Sequence, residues 1–198
     1  MRHTFAETPY KEAFMRRSTS VHTMILCALL IAVGLILPLF LGQVQILAQG
    51  ISPMHIPAFI AGLTCGPAAG AVVGFVTPLL RMVIFGMPAA PSAVPMAFEL
   101  CAYGVLTGLL YPLLVRRHVA HLPAILVSMV LAMILGRLIG GAAKAIFLGL
   151  NGGSYTFSTF VSAYFVTTAV GAVIHLILVP AVVLALEKAR LSPLARRL

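Results

Sequence analysis

Residues Met24–Leu41 read MILCALLIAVGLILPLFL, and this stretch decides the fold. Eighteen residues pass without a charged, amide or hydroxyl side chain, close to the roughly 20 that a helix needs to cross the hydrocarbon core of a bilayer. The core of a secretory leader is shorter, about 7–15 residues, and lacks a long charged arm before it. The run is therefore read as the apolar part of a first spanning helix, Ser20–Leu41. Residues 1–19 become a cytoplasmic N-terminal arm, whose Phe5, Tyr10 and Phe14 suit the bilayer surface.

Working outward, the whole chain calls for the same solvent. Its 198 residues are 61% hydrophobic and 9% charged, whereas soluble domains carry about 25% charged residues. Acids are scarcer still, with four Glu and no Asp. Pattern and punctuation divide residues 20–198 into one all-α integral membrane bundle of six transmembrane helices. After the first comes a polar, proline-broken outer connection, Gly42–Pro57, with Gln43, Gln45, Gln49 and His55, a composition unsuited to lipid. A short second helix, Met54–Thr64, turns at Gly66-Pro67 into a third, Pro67–Phe85, kinked near Pro78. The proline-rich Gly86–Pro95 is a second outer loop. A fourth helix, Met96–Leu114, the basic inner loop RRHVAHLP, a fifth helix, Ala124–Gly149, the turn Asn151–Ser154 and a sixth helix, Thr156–Leu186, complete the chain. Gly62, Gly66, Gly70 and Gly74 recur every four residues, a stripe that lets backbones approach where lipid offers little hydrophobic drive between helices. Ala28 and Ala32 form a second small-residue pair.

The formal charge of +9 gathers in three places: Arg2, Lys11, Arg16 and Arg17; Arg116 and Arg117; and Lys188, Arg190, Arg196 and Arg197. With six helices all three clusters fall on one side. Short Lys/Arg-rich flanks stay in the cytoplasm, which places both termini there. Such flanks are not the exposed basic surface that nucleic acid requires. Cys27, Cys65 and Cys101 are odd in number and far apart, and are read as buried free thiols rather than a disulfide framework or metal site. There is no HExxH, no Ser–His–Asp set and no phosphate-binding GxxxxGK[ST]. The expectation is a non-enzymatic chain without cofactor or metal, whose energy for any uphill transport comes from an ion or a partner.

The ionisable residues inside apolar segments carry the functional reading: Arg81, Glu99, Arg137 and Lys144, with His55 and His175. A charge at the bilayer centre costs about 2.5–3.5 kcal/mol on insertion scales, so such residues face the bundle interior, pair, or serve a polar cavity. Arg81 is expected in the outer half of the third helix and Glu99 in the first turn of the fourth. Arg137 is expected near the middle of the fifth, with Lys144 two turns further out on the same face. Three cations against one carboxylate leave a positive excess. One reading is a Glu99–Arg ion pair with the other cations reaching to water. The other is a site for an anionic ligand whose carboxylate completes the balance, with Lys144 or Arg81 meeting the ligand and Arg137 holding Glu99.

The stretches SPMHIPAFIAGLTCGPAAGAVVGFVTPLLRMVIFGMP (Ser52–Pro88) and MAFELCAYGVLTGLLY (Met96–Tyr111) resemble the substrate-binding (S) components of energy-coupling factor (ECF) transporters. These are six-helix vitamin-capture proteins of prokaryotic membranes. The resemblance implies a multi-pass protein of the prokaryotic cell membrane, the high-affinity vitamin-binding subunit of an ECF-type ABC importer. It implies partners, a transmembrane scaffold subunit and two ATPase subunits, and a toppling motion that carries substrate inward. It implies that Ala28 and Ala32 match the alanine motif that docks on the scaffold. It also implies a substrate near the outer face, under loops that correspond to those around His55, Met87 and Asn151, with His55 and Glu99 on motif positions. The candidate substrate-binding set is thus His55, Arg81, Met87, Glu99, Arg137, Lys144 and Asn151. The MHIP–GMP–EL pattern is most similar to the branch containing pantothenate carriers, and the single carboxylate of pantothenate suits the cation excess. Cobalamin, riboflavin, folate and a pyridoxine-like vitamin are the alternatives. Two other classes compete: a membrane assembly subunit with no ligand, and a small intramembrane enzyme, which four Glu and no Asp disfavour.

Overall fold

The computed structural model describes residues 9–41, 52–153 and 155–194, with side chains from Val21 onward. The Gln43–Gly50 connection, Arg2 and Phe5 of the arm, Ser154 and Arg196–Arg197 lie outside the described residues. Those described form α1 (Pro9–Leu41), α2 (His55–Cys65), α3 (Pro67–Phe85), α4 (Ala90–Arg116), α5 (His121–Leu150), α6 (Phe157–Val161), a π-helical turn (Ser162–Val166) and α7 (Ala169–Lys188). There is no strand among them. Five stretches are long and apolar enough to cross a membrane: Val21–Phe40, Pro67–Phe85, Ala90–Arg116, His121–Leu150 and Phe157–Lys188, the last made of α6, the π turn and α7. The 11 residues of α2 reach about 16 Å at 1.5 Å per residue, about half a hydrocarbon core. Ten of them, His55 to Thr64, are buried, so the spanning helices enclose α2. The outside is apolar instead: Ile25, Val83, Ile84, Leu138, Ile139 and Ile177 are exposed. This is a multi-pass membrane protein.

The hairpins gather residues 65–67, 116–121 and 188–194 at one end of the bundle, the basic end, with Arg116, Arg117, Lys188 and Arg190. Contacts tie that end together. The Tyr111 hydroxyl donates to Glu187 Oε1 at 2.6 Å and lies 2.9 Å from His121 Nδ1. The Leu194 N–H donates to the Thr64 carbonyl at 2.8 Å, capping α2. Residues 52–55, 86–89, 150–153 and 155–157 lie at the opposite end.

Glycines set how closely α2, α3 and α4 approach. A Cβ on Gly70 of α3 would lie 2.5 Å from the carbonyl oxygen of Gly104 on α4. One on Gly74 would strike the backbone at Leu100, and one on Gly62 the backbone of Gly104. Small residues thus give the backbone-to-backbone packing that membrane helices use. The four-residue stripe is split between two helices, however. Gly66 sits at φ 99° between α2 and α3, a left-handed conformation that favours glycine, and Pro67 then opens α3 where a missing N–H is harmless. The stripe therefore folds back on itself, so that Gly62 and Gly70 both face α4.

Several expected boundaries move. The first helix begins at Pro9 rather than Ser20, because after Pro9 the arm is rich in good helix formers and holds no Gly or further Pro. The fourth begins at Ala90 rather than Met96. Pro91 falls in its first turn, where N–H groups have no helical partner, and Pro95 costs one internal bond. The loop is thereby reduced to Gly86–Ala89, opened by Gly86 in the left-handed cap position, φ 68°. The fifth begins at His121 rather than Ala124. The sixth is not one α-helix. The Thr167 N–H and hydroxyl both reach the Ser162 carbonyl at 3.0 Å, and the Thr168 hydroxyl donates to the Tyr164 carbonyl at 2.7 Å, so hydroxyls back-bonding to the previous turn accompany the π turn. The cysteines are free but half-buried rather than buried.

Candidate functional site

A recess lies between α2, α4, α5 and α7, lined by His55 and Phe59, Glu99 and Tyr103, Met133 and Arg137, and Gly171 and His175, with Ser52 and Thr168 beside them. Its empty space, open solvent at the mouth included, is about 270 Å³, and the part closed in by side chains has room for about one water.

Each wall has a local cause. Glu99 and Tyr103 are four residues apart on α4 and therefore share a face. The Tyr103 hydroxyl donates to Glu99 Oε1 at 2.5 Å. Two glycines of α5 make room for them: a Cβ on Gly136 would enter the Tyr103 ring, and one on Gly140 would lie 2.7 Å from Glu99 Cβ. Phe59 stacks on Tyr103 with ring centroids 4.8 Å apart, and His55 stacks on His175 at 5.6 Å. His55 Nδ1 is 2.9 Å from the Ser52 carbonyl and its Nε2 is 3.6 Å from Glu99 Oε1. Thr168 enters the lining directly after the π turn, the kind of helix irregularity often found at functional sites.

Of the seven candidate substrate-binding residues, the structure brings His55, Glu99 and Arg137 into one recess, with the interior His175 beside them, and places the other four elsewhere. Arg81 is buried on α3, donates from Nη1 to the Leu35 carbonyl of α1 at 2.6 Å and lies 5.2 Å from the centre of the Phe85 ring. Met87 is exposed in the α3–α4 connection. Asn151 is exposed and caps α5 through the Phe147 carbonyl at 2.7 Å. Lys144 stands further along α5, its Nζ 5.9 Å from the Tyr155 ring centre. Glu99 lies not in the first turn of its helix but two turns in, because α4 starts early. Its close partners are Tyr103 and His55 rather than Arg137. Arg137 lies over the Phe165 ring at 5.3 Å and close to the Tyr103 hydroxyl. Among the described residues no carboxylate is within ion-pair distance of Arg137. Tyr155 adds a further polar atom at this end: its hydroxyl is buried with no hydrogen-bond partner among the described residues. Burial pushes that hydroxyl's pKa up, and the Glu99 charge adds to the effect, so it remains a donor.

Tyr103, Thr168, Ser52 and Tyr155 were missed as site residues. For Tyr103 the signal was available, since it stands four residues after an intramembrane Glu. His175 was visible as an interior ionisable residue but had no spacing to tie it to His55. Of the docking candidates on α1, Ala28 is exposed and Ala32 half-exposed.

The family described as ECF transporter, substrate-specific component, matches residues 22–183. The match covers most of the chain, from the start of the first span to the last turns of α7, and the chain belongs to this family. No curated protein and no solved structure matches it significantly.

Proposed function

We propose that this substrate-specific component captures an anionic vitamin in the recess, with pantothenate the first candidate. It hands the vitamin inward together with a membrane scaffold subunit and two ATPase subunits. In this reading the chain makes six passes of a prokaryotic cell membrane, α2 forming a short second pass inside the bundle. The basic end and both termini are cytoplasmic, the recess opens outward, and the chain catalyses no reaction itself. The observation that carries the reading is Arg137. It lines the recess, Glu99 is engaged by Tyr103 and His55, and the guanidinium has no carboxylate of its own among the described residues. A ligand carboxylate completes that balance, with Lys144 and the Tyr155 hydroxyl as further donors towards the mouth. Ala28 and Ala32, facing outward from α1, fit a docking surface for the scaffold.

The test is equilibrium binding of pantothenate and of its neutral alcohol analogue, panthenol, to the purified chain. Mass spectrometry of whatever copurifies accompanies it. The wild type is expected to prefer the carboxylate. Removing one member of a buried charge pair costs about 2–5 kcal/mol, so Arg137→Ala should lower pantothenate affinity about 30-fold or more and erase most of the preference. A wild type that binds only an uncharged vitamin, or an Arg137→Ala variant with unchanged preference, refutes the anion reading.

A further inference from the structure

Cys27 and Cys65 are remote in sequence, and the fold brings them together. Their thiols are in hydrogen-bond contact between α1 and the end of α2. The register of the two helices agrees. A Cβ on Gly34 of α1 would lie 3.4 Å from Pro57 Cγ of α2, so these two residues are level. Towards the basic end, Cys27 lies seven residues from Gly34 and Cys65 eight from Pro57, about 11 and 12 Å at 1.5 Å per residue. Both steps are about two turns, so the two cysteines are level as well. Cys27 also continues the inward stripe of α1, in which Leu30, Gly34 and Pro38 are buried. The segment 189–194 straps both helices at this end. His22 Nε2 of α1 lies 3.3 Å from the Leu191 carbonyl, while the Leu194 N–H and the Ser192 hydroxyl reach the Thr64 carbonyl of α2 at 2.8 and 3.2 Å. Cys101 stands apart from the pair. It precedes Gly108 of α4 by seven residues, and a Cβ on Gly108 would lie 2.5 Å from the Pro67 nitrogen. Cys101 is therefore about 10 Å further along α4, whereas a disulfide joins Cα atoms no more than about 7 Å apart.

We infer that Cys27 and Cys65 form an oxidisable dithiol, a modification site that reacts with a low-molecular-weight disulfide and closes into a reversible bond between α1 and α2. Cys65 ends α2 beside the Gly66-Pro67 turn at the basic end and is only half-buried, so it meets the reagent first. Its thiolate attacks one sulfur of the small disulfide, and the other sulfur leaves as a thiol. The Cys27 thiolate then attacks the Cys65 sulfur of the mixed disulfide and expels the second small thiol. The two protein thiols give up two electrons and two protons, and the reagent takes them to become two thiols. In the proposed orientation the basic end is cytoplasmic, where thiols are kept reduced and disulfides are transient, so the pair rests as a dithiol. That resting state depends on the orientation; bond formation depends on the contact alone. The bond fastens α1, next to the exposed Ala28, to the end of the helix that carries His55.

The test uses the full chain, purified in detergent under reductant, freed of it and treated with oxidised glutathione. The reaction is stopped with acid, the chain is unfolded, and the remaining thiols are alkylated with N-ethylmaleimide. Intact mass and peptide mapping follow. Of the three thiols, Cys27, Cys65 and Cys101, the wild type should lose the first two together. Its mass should fall by two hydrogens before alkylation is counted, and one linked peptide pair should carry Cys27 and Cys65. Dithiothreitol should return both thiols. Cys27→Ser removes the resolving thiol, so the reaction should stop with glutathione on Cys65, an adduct that the wild type clears. Survival of all three thiols in the oxidised wild type overturns the inference. So does glutathione left on its Cys27 or Cys65, a bond that involves Cys101, or a bond between two chains. If Cys27→Ser does not fold, the wild-type map decides alone.

Discussion

Gly104→Ala should loosen the bundle where two helix backbones meet. The backbones of α3 and α4 touch there: a Cβ on Gly104 falls against the C, O and Cα of Gly70, and one on Gly70 lies 2.5 Å from the Gly104 oxygen. Non-bonded carbons sit comfortably at about 3.5–4.0 Å, so the added methyl must push the helices apart by about 1 Å. No rotamer change relieves it, since the atoms in the way are backbone. Overpacking costs about 1–3 kcal/mol and occasionally more, and this geometry belongs at the upper end. Helix propensity works the other way, favouring Ala over Gly by about 1 kcal/mol in a helix interior. The net loss is about 2 kcal/mol, which for a chain of this size lowers the melting midpoint by about 4–8 °C. Gly149→Ala on α5 is the control, because a Cβ there meets nothing within 4 Å and only the propensity gain remains. The chain has no Trp. Unfolding is therefore followed in detergent with a thiol-reactive dye, which reports exposure of the half-buried Cys27, Cys65 and Cys101. A Gly104→Ala variant that melts at or above both the wild type and the control refutes the close-contact account of the packing.

Arg81→Met removes a charge-assisted bond to the Leu35 carbonyl worth about 1.5–3 kcal/mol, so the midpoint should fall by several degrees while pantothenate affinity stays within about 3-fold. An unchanged midpoint with lost affinity would instead put Arg81 in the binding site. Tyr111→Phe deletes the donor to Glu187 at the basic end and should destabilise the chain by about 1–3 kcal/mol; a midpoint equal to that of the wild type would show that water replaces the hydroxyl there. Ala28→Trp adds bulk to an exposed position on α1 and should abolish copurification with the scaffold subunit while sparing vitamin binding. Loss of binding with assembly intact would make Ala28 part of the internal packing.

The fold was largely legible because lipid makes sequence rules strict. A run such as Met24–Leu41 has few ways to be satisfied other than by crossing, and Gly66-Pro67 has few uses other than a tight turn. What misled was proline. Three prolines between Gly86 and Pro95 argued for a loop. In the structure Pro91 sits in the first turn of α4, where its missing N–H has no consequence, and that shift carries Glu99 two turns into the helix. The break in the last span was hidden for the opposite reason. Thr167 and Thr168 carry no helix-breaking signature, and only their hydroxyl bonds to Ser162 and Tyr164 show how the backbone turns to bring Thr168 into the recess.

The candidate site was legible in its kind and not in its wiring. Counting charges identified an interior excess of cations, but counting cannot say what each cation meets. Arg81 is held by a main-chain carbonyl, and main-chain acceptors are the same at every residue, so no sequence feature marks Leu35 as its partner. Lys144 lies near the face of Tyr155 and Arg137 over Phe165, and aromatic rings are ordinary apolar residues to a reading that looks for opposite charge. Glu99 was assigned a cation because ion pairing is the usual end of a buried carboxylate. It found Tyr103 one turn away and His55 across the helix contact that Gly62 and Gly104 allow. That closeness of α2 to α4 is a packing result, and it turns three separate motif residues, His55, Glu99 and Tyr103, into a single polar wall. Arg137 is then left over, with a full charge and no acid to meet it among the described residues, in a recess that a ligand carboxylate could complete.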